Sequence, residues 1–109
     1  MWGEVDEINV GKVPNNKESK VTINLKEQGE VHFNWEAPNS YKNTQGESQK
    51  ITKSAPQIVL DKVKGEQKID VTLFLCSGEQ CARKKMVLVL EGDDNKTETD
   101  IQYDFAPQF

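Results

Sequence analysis

Apolar residues alternate with polar ones through most of this chain, and that alternation limits its fold more than any other feature. "KVTINL" puts Val21, Ile23 and Leu25 on one side of an extended strand, and "EVHFNW" does the same for Val31, Phe33 and Trp35. "KIDVTLFL" groups Ile69, Val71, Leu73 and Leu75, "MVLVLE" groups Met86, Leu88 and Leu90, and "TDIQYDF" groups Ile101, Tyr103 and Phe105. "QIVL" after Pro56 is a short apolar run, and "EINV" offers an edge strand with Ile8 and Val10. No ten-residue window carries a 3.6-residue period. A chain of 109 residues builds one core, so residues 1–109 read as a single domain. The pattern predicts an all-β, two-sheet, immunoglobulin-like sandwich of about seven antiparallel strands, with a small barrel as the alternative.

The punctuation fits strands. "KEQGE" around Gly29 reads as a hairpin turn between the second and third runs, and "KVKGEQK" and "EGDDNKTE" read as loops around Gly65 and Gly92. The longest polar stretch, 37–54, reads as a connection crossing between sheets, anchored by Tyr41 and Ile51.

Charge narrows the partners. With a net charge of −4, the chain carries no electrostatic footprint for nucleic acid. No run approaches the roughly 18 apolar residues of a membrane span. The start "MWGEVDEINV" lacks the basic-then-apolar order of a signal peptide. Trp2 and Trp35 read as packing residues.

The chemistry-bearing stretch is "LFLCSGEQCARKKMVLVL", residues 73–90, which holds the only two cysteines. If the flanking runs pair, "SGEQ" is a four-residue hairpin loop with Gly78 at positive φ, and Cys76 and Cys81 flank it. Their Cα atoms would lie about 4.5–5.5 Å apart, within bridging range. Three readings stay open: a structural disulfide, an exchange-competent pair, and plain reduced thiols. In the exchange reading Arg83 and Lys85 support a Cys81 thiolate, while Glu79 and Asp70 oppose it. By parity Cys76 lies with Phe74, Thr72 and Asp70 on the face away from the core. Phe74 with Val87 or Val89 makes an outer apolar face able to dock against a neighbour.

Other chemistry is thin. Zinc would need both cysteines, His32 and a carboxylate, and His32 reads as solvent-facing. "GDDNKTETD" lacks the glycine and closing glutamate of an EF-hand loop counted from Asp93, so a plain acidic turn is expected. No cofactor, metal site or catalytic set is expected. Asn95-Lys96-Thr97 is a glycosylation sequon, relevant only to a secreted chain.

"KVTINLKEQGEVHFNWEAPNSYK", the cysteine hairpin and the closing "TDIQYDF" resemble a small β domain, over about residues 8–105. That domain closes proteins of the NHL-repeat-containing thioredoxin-like family. The resemblance implies a non-catalytic accessory domain at the C-terminal part of a larger multidomain protein. It would be a monomeric module in the cytoplasm, packed with thioredoxin-like and NHL propeller domains. More distantly, the hairpin is similar to the N-terminal immunoglobulin-like domain of the DsbD thiol–disulfide interchange proteins. That likeness implies disulfide exchange through Cys76 and Cys81 in the periplasm, although "CARKK" replaces the usual aromatic and proline residues. An extracellular binding or adhesion sandwich with a structural bridge is the third reading.

Overall fold

In the computed structural model, which describes residues 5–109, the alternating runs become strands whose apolar sides meet. The strands are β1 (Asp6–Pro14), β2 (Ser19–Leu25), β3 (Val31–Phe33), β4 (Ser40–Lys42), β5 (Ser48–Lys50), β6 (Gln57–Val63), β7 (Gln67–Ser77), β8 (Gln80–Asp93) and β9 (Asp100–Phe105). They form two sheets. The larger has the order β1-β8-β7-β4-β5, with β3 also on β7, and the smaller has the order β6-β2-β9. The architecture is an all-β two-sheet sandwich, and two expectations are corrected. Among the described residues there are nine strands rather than seven. Both sheets are mixed, because β1 runs parallel to β8 and β9 runs parallel to β2. Trp2 lies outside the described residues.

The core forms where the predicted faces meet. Val21 and Ile23 of β2, Ile58 and Leu60 of β6, Leu73 and Leu75 of β7, and Leu88 and Leu90 of β8 are fully buried. Burying such side chains, at about 1.5–3 kcal/mol each, drives the two sheets together. Tyr41 and Ile51 anchor their segment to this core as expected. That segment carries more structure than a plain crossover, since β4 and β5 pair as a hairpin and β4 extends the larger sheet beside β7. Its loop is held by Asn43, whose side-chain oxygen accepts from the amides of Gln45 and Glu47.

The Gly29 turn does not make a hairpin. The chain turns there with Gly29 at φ +63° and then changes sheets, so β3 pairs with β7 and not with β2. Gly92 is not in a loop either: β8 runs on through it, opposite Val13 of β1. The Gly65 loop is as expected, with φ +71°.

Two bulges shape the edges. In β1 the register shifts between Asn9 and Gly11, which turns Gly11 toward the ring of Tyr103. A Cβ at Gly11 would overlap that ring. The Tyr103 hydroxyl donates to the Lys12 carbonyl at 2.6 Å and accepts from the Lys12 amide at 2.8 Å. One side chain of β9 thus satisfies the open backbone groups of an edge residue in the other sheet. In β6 the pairing with β2 shifts between Ser19 and Val21, and Lys62 there takes φ +58°, a left-handed conformation rare outside glycine.

Candidate functional site: the cysteine hairpin and its outer face

Strands β7 and β8 stay paired to the end, with Ser77 opposite Gln80. The turn is therefore two residues, Gly78 and Glu79, and not the four of "SGEQ". Gly78 has φ +61° and Glu79 has no positive φ, the pattern of a type II′ hairpin. Cys76 lies directly opposite Cys81, and the two are joined in a disulfide with a Cα–Cα distance of 4.0 Å, closer than the spacing expected from the sequence. The reading as plain reduced thiols is corrected. The bond crosses the first pair behind the one that closes the turn, on the face of β7 opposite Leu75.

The two cysteines differ in exposure. Cys76 is 8% exposed, walled by β3 on one side and β8 on the other, whereas Cys81 is exposed. Arg83 sits two residues from Cys81 on the same face, about 7 Å along the strand, and Lys85 lies about 13 Å away. The structure thus brings Arg83 to the pair more closely than Lys85. Asp70 is six residues from Cys76, about 20 Å along the strand, so it does not oppose the pair as expected; Glu79, in the turn, is the near carboxylate.

His32 is exposed as predicted and pairs directly with Cys76. His32, Cys76 and Cys81 therefore form one cross-strand row. The next row holds Phe74 opposite Arg83, and the one after holds Lys50, Ser40, Thr72 and Lys85. Phe74 is half-buried on a face that no other layer covers among the described residues; Val87 is half-buried two rows away, beyond Thr72 and Lys85, and Val89 is buried, so the expected outer apolar face reduces to Phe74 and a separate Val87.

A side chain absent from the sequence reading locks this face in place. Asn39 is completely buried beside β7, at the point where β7 changes partner from β3 to β4. Its Oδ1 accepts from the Phe74 amide at 2.7 Å, and its Nδ2 donates to the Asn34 carbonyl at 2.9 Å and the Ala37 carbonyl at 3.2 Å. The Asn34 amide donates to the Phe74 carbonyl at 2.8 Å. The carboxamide thus stands in for a missing ladder bond between Asn34 and Phe74. Nothing in the sequence sets Asn39 apart from Asn34 or Asn43.

The other candidates fall elsewhere. Asp93 accepts from the Asn95 amide, and Asp94 accepts from the Asn15 side chain, so both carboxylates order the turn after β8. Asn95 is exposed. A cleft of about 640 Å³ opens between the start of β1 and the segment that follows β9, lined by Asp6, Lys84, Met86, Phe105 and Phe109 among others. Lys84 Nζ lies 5.1 Å from the centre of the Phe109 ring there. A smaller cleft of about 350 Å³ lies beside Phe33 and Trp35, whose rings are 5.1 Å apart. Comparison with known proteins finds no family model that matches this chain and no matching curated protein.

Proposed function

We propose that this chain is a non-catalytic interaction domain that presents the outer face of β7 and β8 to a partner protein. The observation that carries this reading is Phe74. It is a half-buried aromatic ring on a sheet face that no other layer covers among the described residues. Aromatic and arginine side chains placed this way are common anchors at interfaces, and Phe74 has Arg83 directly beside it. The disulfide on one side and Asn39 on the other hold the ring's backbone, which lowers the ordering cost of binding. The partners named in this reading, a thioredoxin-like domain and an NHL propeller, come from the sequence resemblance. A photo-crosslinking residue at position 74 tests it in the protein's own cell, with position 102, on the smaller sheet, as the control. The expected result is a discrete crosslinked polypeptide from position 74 only. Equal crosslinking from both positions, or none, refutes the reading.

The exposure difference between the two cysteines supports a second reading, thiol–disulfide exchange. An incoming thiolate would attack Sγ of the more exposed residue, Cys81, and form a new disulfide. The Cys76–Cys81 bond would break, and Cys76 would leave as the thiolate carrying the electron pair. Alkylation across a glutathione series decides between the roles. A potential of roughly −120 to −270 mV supports exchange, and a bond surviving below about −300 mV marks a structural staple made in an oxidising compartment.

A further inference from the structure

The charge pattern of the outer face says what kind of partner it fits. The three cross-strand rows nearest the hairpin end hold Lys50, Lys85, Arg83 and His32 around Thr72 and Phe74. Among the described residues these rows contain no aspartate or glutamate. The next row restores carboxylates, with Asp70, Val87 and Glu7 side by side. The chain as a whole has 18 acidic and 14 basic residues, so a half-face of three positive rows, with Glu79 in the adjoining turn as the near carboxylate, runs against its composition. Arg83, Lys85, Lys50 and His32 are all exposed. None of them takes part in a salt bridge among the described residues.

The spacing suits an extended chain. Rows on one face repeat about every 7 Å, and an extended peptide repeats its side chains on one face at the same interval. We infer that this half-face binds an acidic, extended segment of a partner polypeptide, with carboxylates against Arg83, Lys85 and Lys50 and an apolar side chain against Phe74. This rests on the interaction reading above and gives the partner its chemistry. Phe74 supplies the anchor. The exposed cations supply orientation and encounter rate, since exposed ion pairs individually contribute little.

The test titrates the ¹⁵N-labelled full chain with the synthetic peptide EDELEDE. The expected shifts fall on residues 72–76 and 81–85. Affinity should drop at least tenfold in the Arg83→Glu/Lys85→Glu double variant and hold in a Lys17→Glu/Lys20→Glu control. It should also weaken as salt rises from about 0.1 M to about 1 M, where the screening length falls from roughly 10 Å to 3 Å. If the double reversal misfolds, Arg83→Gln should give the same direction of change. Shifts scattered over all lysines, an equal loss in the control, or no binding overturns the inference. So does binding of phosphatidylserine vesicles at these residues without binding of the peptide, which would assign an anionic surface instead. A position-74 crosslink to a partner, with no peptide binding, would sink the acidic-segment inference and leave the interaction reading standing. Loss of both would remove both.

Discussion

Replacing Asn39 should reveal how much one carboxamide holds together. Its side chain is fully buried and makes three hydrogen bonds, to the Phe74 amide and to the carbonyls of Asn34 and Ala37. Asn39→Ala removes all three. Ala37 is partly exposed and can turn to water, but the Phe74 amide loses its partner beside a buried strand. An unsatisfied buried backbone group costs about 1–3 kcal/mol, and the lost bond to Asn34 adds about 1 kcal/mol. The expected loss is therefore about 2–4 kcal/mol, a large share of the roughly 5–15 kcal/mol typical of a domain. Urea unfolding measures it as a lower midpoint at unchanged slope. Asn39→Asp sharpens the test, because it keeps the shape and swaps a donor for an acceptor. Burial and the facing Asn34 carbonyl both disfavour the charged carboxylate, so its folded-state pKa rises above the usual value of about 3.9. Above that raised pKa the variant carries the penalty of an ionised buried group. As pH falls through it, the group takes a proton, can donate to Asn34 again, and the deficit relative to the unmodified chain shrinks. A cost for Asn39→Ala below about 0.5 kcal/mol, or an Asn39→Asp deficit that is flat with pH, would refute the account of Asn39 as a ladder substitute.

Cutting the disulfide by Cys76→Ser/Cys81→Ser should lower stability by about 2 kcal/mol, the chain-entropy value for so short a loop, with the strand signal in circular dichroism retained. Tyr103→Phe should cost about 1–2 kcal/mol through its two bonds to Lys12, and Gly11→Val should cost more because the ring loses its seat; thermal unfolding of both variants checks the order. Lys62→Gly should raise stability by about 0.5 kcal/mol, because relief of the left-handed backbone slightly outweighs glycine's entropy, while Lys62→Val should lower it; opposite shifts in urea midpoint are the signature.

The faces of the strands were legible in the sequence and their partners were not. Val21, Ile23 and Leu25 point inward whether β2 turns back on itself or crosses to the other sheet, so alternation cannot tell a hairpin from an arch. That is why Gly29 reads as a hairpin turn and serves as a sheet-changing one. The parallel pairs β1–β8 and β2–β9 join segments from opposite ends of the chain, and no local pattern marks them. At the candidate site, a close approach of the two cysteines across a glycine turn was expected, but their bonding was only one of three readings left open. The turn length was not legible, because Ser77 and Gln80 read equally well as loop or as strand. Asn39 escaped notice because its role depends on a gap between two short strands that only the assembled sheet creates.

The placement of β9 also bears on how the domain is made. β2 is the middle strand of the smaller sheet, yet one of its two neighbours is β9, the last of the described strands. As the polypeptide emerges from the ribosome, β2 waits through some eighty residues for that neighbour, with one edge open. Edge β1 likewise waits for β8. Such long-range pairing slows folding toward the millisecond-to-second range of β-sandwiches. Loss of 99–109 would therefore strip more than an edge. It would remove the strand beside β2, and with it the Tyr103 clasp that joins the two sheets.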